Sequence, residues 1–339
     1  MKPDIDINEN DFDIVDELRK RYNLTWEEAF QRLAMYTNGT SDVFKLPPEL
    51  SDCDGMSIAS ALSMLPMWVN NVAESLPTIR SSKNLTDIPL ATNTPALIIS
   101  GGPSLYNTDV LDVLEDEGFN GDIFAVGRVL KTLLDREIIP KYVGFLDAEQ
   151  FDTTFIDYEI VDEYADEMTA LMGTVVHPTT VRRWPGEIAF YNGWVPDWAT
   201  PNISHMLHLF TNKIVMNVGG NVGSALWNIS VMFENNPIGM IGMDLGFESF
   251  EDMCNYHAHV PREKIEETYK KYTHPVWGNE VYVSQVFNVY KTATESWIKA
   301  IRANGGQITY NCTGKGSLWD GMECVSLKEF LDICKEKTS

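Results

Sequence analysis

The feature that most constrains this chain is a series of short apolar runs, each followed by glycine or an acid. Ala96-Leu-Ile-Ile-Ser precedes Gly101-Gly102, Tyr142-Val-Gly-Phe-Leu precedes Asp147, and Ile214–Val218 precedes Gly219-Gly220. Pro237-Ile-Gly-Met-Ile-Gly-Met precedes Asp244, and Asp122-Ile-Phe-Ala-Val is a further run of the same kind. Runs this short, bounded by turn residues, read as strands buried on both faces. Amphipathic stretches at 109–117, 129–134 and 225–233 lie between them and read as helices. Residues 171–176, 187–191 and Gln307-Ile-Thr-Tyr are also strand-like. Residues 283–303 form a long helix with Val286, Phe287, Val289, Tyr290, Ala293, Trp297 and Ile301 on one stripe, and Leu327–Cys334 a last one. This alternation predicts an α/β fold: a mainly parallel sheet with helices on both faces. In such sheets a ligand sits beyond the carboxyl ends of the strands.

The first quarter of the chain reads differently. Residues 8–75 have helical texture, with a capping box at Thr25-Trp-Glu-Glu and Trp26, Phe30, Leu33 and Ala34 at helical spacing. Lys45–Gly55 interrupts it with prolines and a glycine, and 77–95, with Pro77, Pro89 and Pro95, reads as a linker. The expected division is a helical N-terminal region and linker over 1–90 and an α/β domain over 91–339. Residues 1–75 are then a surface for a protein partner or a second copy of the chain.

With 339 residues, 44% of them hydrophobic, a sizeable core is expected. Asp and Glu total 49 against 26 Lys and Arg, a net charge of −23. That excess argues against nucleic acid or an anionic membrane as partner, because both require cations to displace counterions. No apolar run approaches the roughly 18 residues of a membrane span, and the acidic start MKPDIDINENDFD does not resemble a secretory signal. Five cysteines without CxxC spacing read as reduced thiols of a cytoplasmic protein.

Four places in the sequence offer chemistry. Gly101, Gly102, Pro103 and Ser104 join a strand to a helix start, where backbone N–H groups cradle phosphate, or else form an ordinary turn. Gly219, Gly220, Asn221 and Ser224 repeat that arrangement, either as a second anion loop or for close packing of helix on sheet. Asp244 and Asp147 close strands, where a carboxylate holds Mg²⁺ between phosphates, orients a hydroxyl or caps a helix. Cys254, His257 and His259 raise zinc, but no fourth ligand is evident and the spacing is not that of a structural site. The competing readings are one catalytic or phosphate-contacting histidine, His257, and a surface loop. For His177-Pro178 a structural role is favoured.

Taken in order, these segments resemble the 6-hydroxymethylpterin diphosphokinase MptE-like family, which also includes the domain of the motility accessory factors that glycosylate flagellin. The resemblance begins at Ile98-Ile-Ser-Gly-Gly-Pro-Ser-Leu, also similar to the glycine loop of some bacterial sialyltransferases. It runs through Tyr142-Val-Gly-Phe-Leu-Asp147 and Val218-Gly-Gly-Asn-Val-Gly-Ser-Ala. It is strongest at Pro237-Ile-Gly-Met-Ile-Gly-Met-Asp-Leu-Gly-Phe, with His257 following, and ends at Tyr310-Asn-Cys-Thr. It covers about residues 90–330 and implies a Rossmann-like domain.

The resemblance also implies a site. Asp244 and His257 would be catalytic, Asp244 the metal ligand, and Asn311, Thr313 and Lys315 would lie on the substrate side. The sequence departs from the family where Gly314-Lys-Gly replaces an acidic segment, putting a cation near the site. Two chemistries follow. One is Mg²⁺-assisted diphosphoryl transfer from ATP to the hydroxymethyl group of a small acceptor; the other is glycosyl transfer from a nucleotide sugar. A nucleotide-binding protein without catalysis is a third possibility.

Overall fold

The computed structural model describes residues 51–195 and 203–338, all within one unit, Pro48–Ser339. The capping box at Thr25 and the helical stripe Trp26–Ala34 lie outside the described residues.

Ten strands form one sheet: β1 (Lys83–Asn84), β2 (Ala96–Ile99), β3 (Asp122–Val126), β4 (Tyr142–Phe145), β5 (Thr169–Gly173), β6 (Glu187–Gly193), β7 (Val215–Met216), β8 (Ile238–Ile241), β11 (Thr309–Asn311) and β12 (Glu323–Cys324). A separate hairpin, β9 (Lys270–Thr273) and β10 (Glu280–Val283), is antiparallel. The large sheet runs β1-β6-β5-β4-β3-β2-β8-β11-β12, with β7 also on β6, and its pairings are parallel. The expected mainly parallel α/β sheet is therefore present. Alternate side chains feed opposite faces: Leu171, Ala189 and Tyr191 enter one apolar cluster, and Ala170, Met172, Ile188 and Phe190 the other. Burial on both faces is why these strands read as continuous apolar runs.

Four stretches differ from expectation. A single helix, Ser51–Ser81, continues through Pro66 and Pro77, and it already spans Ser51–Gly55, where an interruption was expected. Each proline removes one backbone hydrogen bond. Burial of Asn71, Val72, Ser75 and Ile79 offsets the loss. The expected linker 77–95 is likewise bound into the fold, since β1 pairs with β6 and Leu85 and Ile88 are buried. The expected strand 171–176 stops at Gly173, where Thr174 turns to donate its hydroxyl to Asn192. Only Val215–Met216 of the run 214–218 pairs as strand.

Two buried polar contacts hold the loops at the carboxyl edge. Asn71 donates from Nδ2 to the carbonyls of Ala148 (2.8 Å) and Val175 (2.9 Å), tying the segments after β4 and β5 to the long helix. On the other half, Glu295 of helix Gln285–Ala303 accepts from the N–H groups of Trp319 and Asp320, both at 3.0 Å, and pairs with Lys291 at 2.5 Å. Burial lowers the Lys291 ammonium from its usual range, and the Glu295 charge opposes that effect. This pair fixes the loop that leads from β11 to β12.

Asn71→Ala should leave both carbonyls without their partner in a site closed to water. We expect a loss of about 2 kcal/mol, read from the urea midpoint at unchanged slope. A change below about 0.5 kcal/mol, the scale of an ordinary surface substitution, would contradict this account of the edge.

Candidate functional site

Between β2 and β8 the sheet changes direction: β2 leads on to β3 on one side, while β8 adjoins β11 on the other. The segments leaving these two neighbouring strands diverge, and the crevice that opens there is where such sheets bind ligands. Asp244 stands at the end of β8 in this gap and is only 6% exposed.

Three loops converge on it. From the β2 side, Ser104 donates to Asp244 Oδ2 from its hydroxyl (2.9 Å) and its backbone N–H (3.3 Å). Gly102 donates its N–H to the Gly242 carbonyl at 2.7 Å. A Cβ on Gly102 would stand 1.8 Å from Asp244 Oδ2 and 2.5 Å from that carbonyl. The close approach this glycine permits is thus to the chain itself. Gly101 is adjacent, and Pro103 caps the short helix Ser104–Asn107. From the β11 side, Ser317 donates to the Asp244 carbonyl at 2.8 Å, and Gly316 (φ +91°) lies against the Asp244 backbone. On its own strand, Gly242 (φ +66°) passes close to the Ser100 carbonyl, and Leu245 adopts φ +43°. A leucine in the left-handed region stores strain, here directly beside the buried carboxylate.

Burial pushes the Asp244 carboxyl up to about 6; the two Ser104 bonds oppose the shift and the Glu248 charge adds to it. Lys315 does not reach this carboxylate, because its ammonium donates to Glu248 at 2.6 Å. The cation that marks the departure from the family pattern is therefore neutralised next to the site. Asn311 is buried, donating to the Leu318 carbonyl (2.7 Å) and accepting from the Thr313 N–H (2.9 Å). The Thr313 and Ser100 hydroxyl oxygens are buried without a hydrogen-bond partner.

The second glycine loop packs beside the first. Gly219 (φ +66°) and Gly220 (φ +78°) turn the chain beneath Trp297 and Tyr290, which occupy the space a Cβ would need. Asn221 caps the helix Val222–Met232 by accepting from the Ser224 N–H at 2.9 Å, and Ser224 is bonded to Thr294 at 2.9 Å. At Gly223 this helix start abuts the Ser100 hydroxyl, which joins the two loops at the end of β2. Of the two readings of these glycines, close packing describes the contacts they make.

Asp147 is exposed at the end of β4 and accepts from the Glu149 N–H at 3.1 Å. Its charge, after burial, helps push the carboxyl of Asp152 up to about 7, and Asp152 Oδ2 is enclosed without a partner. His257 packs against Phe247, Tyr256 and Phe287 at ring distances of 5.8, 4.9 and 5.9 Å. Burial, then His259, lowers its pKa, and Nε2 has no partner. His177 caps the helix Pro178–Arg183 through Nδ1, the favoured structural role. Among the described residues no group of three or more His, Cys, Asp or Glu side chains is gathered for a metal, so Cys254, His257 and His259 do not converge. The donor set at Asp244 is one carboxylate, which suits an ion that arrives with a phosphate better than an all-protein cage. No described helix is long and apolar enough to cross a membrane.

Two side chains of this edge escape sequence reasoning: Asp152, and Arg128 in the turn after β3. Neither closes an apolar run, although Arg128 stands two residues beyond the strand, as Gly101 does after β2.

The raised Asp244 carboxyl has a measurable sign. Folding favours its protonated form, so its contribution is fully present below about pH 4 and is lost as the pH rises through about 6. From 3.8 to about 6 is about 2 units, or about 3 kcal/mol at 1.36 per unit. Asp244→Asn carries no such penalty. The stability of the variant relative to the parent should therefore rise by up to about 3 kcal/mol between pH 4 and pH 7.5 in urea titrations. An equal difference at both pH values would show that the carboxylate is not held against its ionisation.

The model of the family described as 6-hydroxymethylpterin diphosphokinase MptE-like matches residues 70–250. Among solved structures, a MAf glycosyltransferase from Magnetospirillum magneticum AMB-1 is similar, with a TM-score of 0.57 and 16% identity over 80% of this chain. At that identity the likeness is one of fold. The chain spans 40% of the length of that neighbour. No curated protein matches. The family match starts inside the helix Ser51–Ser81, whose Asn71, Val72, Ser75 and Ile79 are buried, and continues past Asp244. It covers more than half of the chain, which therefore belongs to the MptE-like family.

Proposed function

We propose that the chain is a nucleotide-dependent transferase whose site is the crevice between β2 and β8. The observation that carries this reading is Asp244: a buried carboxylate at the switch point, kept there although its ionisation opposes folding. Groups held at such a cost concentrate where chemistry needs them. The family description supports transfer, and diphosphoryl transfer, the activity it names, is the reading we take first.

In that reaction a hydroxymethyl oxygen of a small acceptor attacks the β-phosphorus of ATP. The bridge to the α-phosphate breaks, and AMP leaves. Mg²⁺, when bound with the donor, would neutralise the phosphates, and Asp244 would hold it. Ser104 fixes the carboxylate through Oδ2 and so sets the direction of the other oxygen. His257 is the proposed base, since burial keeps its ring neutral and leaves Nε2 without a partner. Asn311 shapes the substrate side through the turn it closes with Thr313. A second reading, glycosyl transfer, is supported by the fold shared with the MAf glycosyltransferase. There Asp244 would take the proton of the acceptor as its hydroxyl attacks the anomeric carbon, and the nucleotide leaves on its own phosphate.

The products separate the two. With ATP, Mg²⁺ and a hydroxymethylpterin we expect AMP to appear in step with pterin diphosphate, and Asp244→Asn to slow it by about two orders of magnitude or more. Release of CMP or UDP from a nucleotide sugar, with no AMP in the first assay, would replace this reading by glycosyl transfer. Nucleotide bound but unreacted in both assays would leave a binding protein. Near-normal turnover in Asp244→Asn would remove Asp244 from the mechanism.

A further inference from the structure

The glycine loop after β2 offers an anion little. The N–H groups of Gly102 and Ser104 already donate to the Gly242 carbonyl and to Asp244, and Pro103 has none. A negatively charged ligand in the crevice must find its positive charge elsewhere, in a chain with a net charge of −23.

Arg128 is placed to supply it. Gly127 is buried against the Phe145 ring, where a Cβ would stand 2.3 Å from a ring carbon, so the turn that carries Arg128 is fixed to the sheet. The arginine stem then lies over Gly101: a Cβ there would stand 2.5 Å from its Cδ and 2.8 Å from its Cγ. This explains Gly101 without a ligand and places the guanidinium at the mouth of the crevice. It lies 5.9 Å from the centre of the Phe155 ring. Arg136, Arg182, Arg183, Arg262 and Arg302 are held by carboxylates. Arg80 is held by the Phe210 carbonyl. Among the described residues no carboxylate is hydrogen-bonded to Arg128, which is exposed. Asp152 feels its charge, but Oδ2 of Asp152 is enclosed without a partner, and its carboxyl, pushed up to about 7 by burial and by Asp147, is only partly ionised at neutral pH.

We propose that Arg128 is the anion-holding residue of this crevice, its guanidinium pairing with phosphoryl oxygens of the donor nucleotide across Gly101. The inference rests on the nucleotide-transferase reading and deepens it by naming the contact that supplies the charge. A planar guanidinium with five N–H donors suits a phosphate oxygen pair better than a turn whose N–H groups are already bonded. Asp152, beside it, limits the affinity by competing for the same cation.

Calorimetric titration of the full chain with ATP, CMP, UDP and inorganic pyrophosphate tests this. Arg128→Gln keeps the stem over Gly101 and removes the charge, so its melting temperature without ligand should equal that of the parent. Its affinity for the phosphate ligands should fall about 10- to 100-fold. Exposed Lys264→Gln makes the same change in net charge away from the crevice and should bind as the parent does. Asp152→Asn should tighten binding at pH 8, and Arg128→Lys should recover only part of the loss. Unchanged binding in Arg128→Gln, or an equal loss in Lys264→Gln, overturns the inference while the transferase reading stands. Pyrophosphate binding that depends on Arg128, without nucleotide binding, keeps the anion contact and removes the nucleotide. Binding of neither by the parent overturns both.

Discussion

The bond between Ser104 and Asp244 ties the loop after β2 to the end of β8 at the one place where the connections of the sheet part. It requires that nothing stand between the loop and the strand end, and Gly102 meets that requirement: any side chain there would occupy the position of the carboxylate oxygen. Gly242 and Gly316 meet it from the other two sides. Three glycines therefore serve one acid. The site is built by exclusion of side chains, and only then by addition of polar groups.

Each half of the edge has its own brace. Asn71 holds the loops after β4 and β5 from a helix that lies outside the strand–helix alternation. Lys291 and Glu295 hold the loop after β11 from the long helix of the other half. A buried ion pair is weak evidence for stability in general. Here Glu295 also closes two backbone N–H groups that would otherwise be orphaned, and that fixes the loop whose Ser317 and Gly316 bear on Asp244. The crevice thus rests on two polar anchors rather than on apolar packing alone.

Much of this is legible in the sequence. The strands β2, β3, β4, β6 and β8 follow from apolar runs because burial on both faces leaves no polar alternation to confuse them. Asp244 is legible because an acid that ends such a run has nowhere to point but the carboxyl edge. The glycine pairs are legible as tight turns, but the residues that fill their space are not: Arg128, Tyr290 and Trp297 arrive from elements far along the chain. The two ends of the helix Ser51–Ser81 are obscured by Gly55 and by Pro77, whose local signals are outweighed by burial of Val72 and Ile79. The hairpin of β9 and β10 is missed although Glu280-Val-Tyr-Val alternates in period two, with Val281 and Val283 buried. Arg128 is missed because a single cation after a strand carries no pattern; only its lack of a carboxylate partner sets it apart.

Leu245 adopts a backbone conformation that glycine would accept without strain, and it follows an acid that a neutral residue would replace at a gain in folding free energy. Both features are exposed to genetic drift. In a lineage that no longer used the crevice, exchange of Asp244 for asparagine would relieve a buried charge and exchange of Leu245 for glycine would relieve a strained backbone, so both would erode. The two residues therefore act as a clock on use: a descendant that retains them together is under selection for something other than its own stability.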